Sequence, residues 1–152
     1  MKIPFTYLSF NPDTPAKDYW DMGIINDLLE NKLYPAKSHY KYKEVPPTEL
    51  KEGGIIVFPA RAQEDYIDQL NKYLSKLDWA ILVLTGDEEA QFPANKIEHD
   101  NIKIWIMSPH PDKHKADDFG FLGTGYPPQI HEYKSENKPV KEYDWFFLGQ
   151  LS

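Results

Sequence analysis

The hydrophobic positions of this chain fall into short apolar runs separated by polar, proline-rich stretches. The clearest grouping is residues 51–89, KEGGIIVFPARAQEDYIDQLNKYLSKLDWAILVLTGDEE. Residues 55–58 (IIVF) and 80–84 (AILVL) have the continuous apolar character of strands buried on both faces. Between them Ile67, Leu70, Tyr73, Leu74 and Leu77 recur at helical spacing. Strand, helix and strand in that order predict a βαβ unit with a right-handed crossover. Ligands of open parallel sheets sit beyond the carboxyl ends of the strands, which here are Pro59-Ala60-Arg61 and Thr85-Gly86-Asp87-Glu88-Glu89.

The flanking pattern extends this unit. Residues 3–10 (IPFTYLSF) predict a first strand, with Pro4 tolerated near its start, and Asn11-Pro12-Asp13-Thr14-Pro15 ends it as a turn. Residues 19–30 carry Ile24, Ile25, Leu28 and Leu29 on one helical stripe, interrupted by Gly23, with Thr14 or Asp18 available as cap. Residues 38–45 alternate Tyr40, Tyr42 and Val45 with Lys41, Lys43 and Glu44. That suits an edge strand protected by lysines, and it also suits an aromatic strip on which sugars or bases stack. Residues 91–100 predict a loop or short helix, residues 101–107 (NIKIWIM) a strand, residues 119–128 (FGFLGTGYPP) a loop, and residues 144–148 (DWFFL) a last strand. The sum is an α/β protein: an open, mostly parallel sheet of five or six strands, Rossmann-like or flavodoxin-like, with helices on its faces.

At 152 residues the chain suffices for one domain with a substantial core. A formal net charge of −7 argues against nucleic acid as a partner. Cysteine is absent, which excludes disulfides, thiolate catalysis and cysteine metal sites. The first residues are too soon interrupted by Pro and Asp for a signal peptide, and no run approaches the ~18 to 20 apolar residues of a membrane span. A cytoplasmic protein is expected. Arg61 is the one arginine; at a strand end its planar donor set could grip a carboxylate or phosphate, or pair with Glu64 or Asp65.

The chemistry-bearing motifs are few. Gly120-Phe-Leu-Gly123-Thr-Gly125 has dinucleotide-like glycine spacing, but Tyr126-Pro127-Pro128 follows where a helix should open. There is no GxxxxGK[ST], GxSxG or HExxH sequence. What remains is convergence: in a parallel sheet Ser9, Asn11, Arg61, Thr85 to Glu88, and Ser108 to His110 lie along one rim. Asp87, Glu88 or His110 could act there as a base, and Asn11, Arg61 and Gly86 could hold substrate. Each also has an ordinary reading, as a solvated helix start or a turn between prolines. His99, His110 and His114 with Asp112, Asp117 and Asp118 match no metal-ligand spacing and read as a charged loop, so neither metal nor cofactor is expected.

Residues 143–152 (YDWFFLGQLS) resemble the segment that opens the second domain of exostosin-like glycosyltransferases, where a WFF-G-Q strand precedes His/Arg-rich sequence. The FLGTGYPP loop and the opening IPFTYLSFNPDTP fit the first domain of such a GT-B-type enzyme. The resemblance implies that residues 1–142 form a Rossmann-like, acceptor-side domain and that residues 143–152 begin a strand of a second domain, which would hold the nucleotide-sugar donor. Asp87, Glu88 or His110 would then deprotonate the hydroxyl of a glycan acceptor, while Asn11 and Arg61 orient acceptor or donor phosphate. The sequence stops at Ser152, so the chain alone is expected to be inactive as a transferase. Two alternatives stay open: a non-catalytic, flavodoxin-like binding or interaction module, and a small nucleotide- or phosphosugar-binding enzyme using Arg61.

Overall fold

The computed structural model describes residues 2–17, 25, 29–30, 41–87, 89–107, 109–110, 112–115 and 118–121. Among the described residues six strands form one sheet: β1 (Lys2–Tyr7), β2 (Lys41–Glu44), β3 (Gly53–Pro59), β4 (Trp79–Thr85), β5 (Ile102–Ile106) and β6 (Gly120–Phe121). Their order is β2-β1-β3-β4-β5-β6, and every neighbouring pair is parallel. The first five strands follow the flavodoxin-like order, and β6 extends it at the far edge.

The central strands read as unbroken apolar runs because both faces are covered. On one face Ile56 and Phe58 of β3 lie beside Leu82 and Leu84 of β4 and Ile102 and Ile106 of β5. Helix α1 (Ile67–Leu74) lays Leu70 and Leu74 on that face, both essentially inaccessible to water. Each such burial contributes about 1.5–3 kcal/mol, and cutting Leu70 to Ala costs roughly 2–5 kcal/mol. The helix follows a 3-10 turn at Glu64–Tyr66, and Glu64, Asp65 and Asp68 place negative charge at its amino end in place of a side-chain cap. On the opposite face Phe5, Tyr7, Val57, Val83 and Met107 pack with Ile25 and Leu29, which are helical and buried.

Register explains the proline inside β1. Pro4 has a partner only in β2, at Lys43, and the ladder to β3 begins one residue later at Phe5. The missing N–H therefore falls where the strand has a single neighbour.

The structure departs from the sequence reading in several places. β1 ends at Tyr7 rather than residue 10, although the Leu8 N–H still donates to the Val57 carbonyl. The helix expected to reach Leu77 ends at Leu74, where the Ser75 N–H donates to the Asn71 carbonyl. The start of the predicted 119–128 loop is a strand, Gly120–Phe121, paired to Trp105 and Ile106. Lys41–Glu44 is an edge strand, as its lysine alternation predicted. Of the helix predicted at 19–30, only Ile25, Leu29 and Glu30 are described; the 144–148 strand and the proposed start of a second domain at 143–152 lie outside the described residues.

Candidate functional site

An all-parallel sheet puts the carboxyl ends of its strands on one rim. Chain direction changes side between β1 and β3, because β2 lies on one flank of β1 and the rest of the sheet on the other. This is the switch point at which doubly wound sheets open a ligand crevice.

Here Gln63 occupies that point. Its side chain is fully buried, and its Oε1 accepts from the backbone N–H groups of Phe10 at 2.8 Å and Asn11 at 3.3 Å. Its Nε2 donates to the Pro59 carbonyl. Asn11 reaches back across the gap, its Nδ2 donating to the Ala62 carbonyl at 2.8 Å while its Oδ1 accepts from the Asp13 N–H at 3.0 Å. Consecutive N–H groups at a strand end form an anion cradle when they are free. In this chain a neutral carboxamide already fills it. Ala62 stands in the left-handed region at φ 56° to let the chain turn back, and Arg61 beside it is exposed.

A second cluster forms where the loops after β4 and β5 meet. Gly86 turns the chain at φ 69°, and Asp87, almost wholly buried, folds the following loop around itself. Its Oδ1 accepts from the Gln91 N–H at 2.8 Å and its Oδ2 from the Phe92 N–H at 3.0 Å. The loop after β5 supplies Lys113, whose ammonium donates to the Glu89 and Ala90 carbonyls. Beside it His114 is buried edge-on against Phe119, and its Nδ1 accepts the His110 N–H at 2.9 Å. Burial pushes the His114 pKa below its usual value; the Asp87 carboxylate opposes that shift, while His110 and Lys113 add to it. With Nδ1 accepting, the neutral ring carries its proton on Nε2.

The predicted site residues thus separate into two groups. Asn11 and Arg61 belong to the switch point, and Gly86, Asp87 and His110 to the β4–β5 loops. With strands ~4.8 Å apart, the ends of β1 and β5 are roughly 14 Å from each other. Glu88 lies outside the described residues. Gln63, Lys113 and His114 organise the rim although sequence reasoning assigned them no role there; a wholly polar residue four positions beyond a buried strand's Pro59 was the available signal for Gln63.

Among the described residues no cluster of His, Asp or Glu is placed to hold a metal ion, and no helix is long and apolar enough to cross a membrane. No protein-family model matches this chain, and searches of curated proteins and of solved structures return no match.

Proposed function

We propose that the chain is a non-catalytic, flavodoxin-like binding module. The observation that carries this reading is the state of the rim: its N–H cradle is filled by Gln63 and both oxygens of its buried carboxylate, Asp87, are held by backbone amides. A general base must reach substrate and a phosphate needs free donors; Asp87 is buried within the loop it holds, and the Phe10 and Asn11 N–H groups are already taken by Gln63. The test is a titration of the labelled chain with UDP- and GDP-sugars, alone and with oligosaccharide acceptors. Undisturbed amides at Asn11, Arg61, Gly86 and His110 and no transfer product are expected. Tight nucleotide-sugar binding at the rim, or turnover, would overturn it.

A second reading is the acceptor-side half of a cytoplasmic GT-B glycosyltransferase, completed by a C-terminal donor-binding domain. What favours it is the parallel rim itself, which carries His110 partly open to solvent beside the β5 end. Oligosaccharide acceptors that shift His110 and Arg61 together, with nucleotide-sugars inert, would favour this reading over the first.

A further inference from the structure

The crossover between β2 and β3 is short. Residues 45–52 make this passage with one 3-10 turn at Pro47–Glu49, where a parallel crossover ordinarily takes about a dozen residues or more and a helix. α1 covers the β3–β4 part of the same face. Between the helix and the crossover runs a groove of about 550 Å³. Leu8 and Phe10 from the end of β1, Leu50 and Pro47 from the crossover, and Tyr73 and Leu77 from the helix side line it. Its walls are tied together, since the Tyr73 hydroxyl donates to the Pro47 carbonyl at 2.8 Å.

Two cations stand on this lining, which apart from Thr48 is mostly apolar. Lys51 and Lys76 both line the groove, both are exposed, and neither ammonium has an ion-pair or hydrogen-bond partner among the described residues. Glu49 and Glu52 flank Lys51 in sequence but do not line the groove. In a chain of net charge −7, the groove lining carries two lysines and no acidic residue. Lysine stems extend apolar surface while their heads stay in water, so an occupant needs an apolar body and an anionic head. The volume lies within the ~300–1,000 Å³ of small-molecule sites.

We infer that the groove between α1 and the β2–β3 crossover binds a small acyl or aryl carboxylate, its hydrocarbon against Leu8, Leu50 and Leu77 and its carboxylate between Lys51 and Lys76. This rests on the reading of the chain as a binding module and names its ligand class.

The test titrates the isotopically labelled full chain with octanoate and, separately, with octyltrimethylammonium at neutral pH, following backbone amides. Octanoate is expected to shift Leu50, Lys51, Tyr73 and Leu77 in a saturable way at millimolar concentration, and the cation to bind more weakly. The double variant K51E/K76E, which disturbs no partnered group, should keep the wild-type melting temperature, weaken octanoate by roughly tenfold or more and favour the cation. The inference is overturned if octanoate shifts none of these amides, if its shifts centre elsewhere, or if charge reversal leaves its affinity unchanged. An apolar peptide binding the groove equally well in wild type and K51E/K76E would also overturn it, by showing a surface indifferent to charge. Nucleotide-sugar turnover by the same preparation would sink the module reading by itself, whereas missing octanoate shifts without turnover would sink only the groove.

Discussion

The indole of Trp79 lies across Gly53, its partner in the β3–β4 register, so closely that a Cβ on the glycine would sit 2.7 Å from the ring. Gly53 also holds φ 155°, which side-chain-bearing residues rarely adopt. A similar relation recurs at the other side of the sheet, where Trp105 covers its partner Gly120. The two sites differ in what must yield. At Gly53 the nearest obstruction is the Trp79 backbone carbonyl, whereas at Gly120 the three nearest atoms belong to the partly exposed Trp105 ring. Gly53→Ala should therefore cost about 3 kcal/mol or more, and Gly120→Ala about 1 kcal/mol with a displaced Trp105 indole N–H resonance. Equal losses in urea melts of the two variants would contradict this account.

Gln63 holds the switch point through three hydrogen bonds in a site without water access. Gln63→Ala removes all of them and leaves the Phe10 and Asn11 amides without their acceptor, so a loss of about 2–4 kcal/mol is expected. Gln63→Glu keeps the acceptor but loses the donor to Pro59 and adds a buried charge, and should be no milder. Hydrogen exchange at Phe10 would accelerate in Gln63→Ala, which loses its acceptor. An Ala variant as stable as the parent would show that the side chain only fills space.

The Thr6 hydroxyl on the interior strand β1 is buried, with no hydrogen-bond partner among the described residues. Valine has nearly the same shape and no polar atom to desolvate. Thr6→Val should raise stability by about 1 kcal/mol, read as a higher denaturation midpoint at unchanged slope. A loss would mean that the hydroxyl has a partner in solution.

These particulars divide what was legible in the sequence from what was not. The β3–α1–β4 unit was readable because Ile56, Phe58, Leu82 and Leu84 form runs with one reading, and Leu70 and Leu74 carry the helical period. β2 was readable because Tyr42 alternates with lysines at a free edge. β6 was not, since two residues carry no period and their pairing depends on Trp105 and Ile106 alongside. At the rim, parallel topology made the location of Asn11, Arg61, Asp87 and His110 legible but not their partners. The amides that hold Asp87 come four and five residues later, and the acceptor for Asn11 is 51 residues away. His114 read as part of a charged turn because its burial depends on Phe119 packing against it and on the fold of the Asp87 loop.

Asp87 supplies the most direct check on how that rim is built. Asp87→Ala removes the acceptor for two loop amides, one of them buried, and should cost about 2–3 kcal/mol while leaving α1 and the β1–β3 ladder intact. Asp87→Asn turns one acceptor into a donor facing an N–H, so it should recover less than half of the loss. Full recovery by Asn would show that only one of the two bonds matters.

His114 makes stability depend on pH in a definite direction. Its folded pKa lies below that of the unfolded chain, about 6.5, because burial disfavours the imidazolium more than Asp87 favours it. Between the two values the unfolded chain binds the extra proton, so stability is complete above about pH 6.5 and falls as pH drops through that value towards the folded pKa. Protonation at Nδ1 would also remove the acceptor of the His110 N–H, loosening the β4–β5 loops first. The quantity to measure is the difference in unfolding free energy between wild type and His114→Gln from pH 8 to pH 5, which cancels the other histidines to first order. The wild-type advantage should shrink steadily below about pH 6.5. A difference that grows on acidification would show that the Asp87 attraction outweighs burial, and a flat one that the two cancel; either outcome contradicts this account.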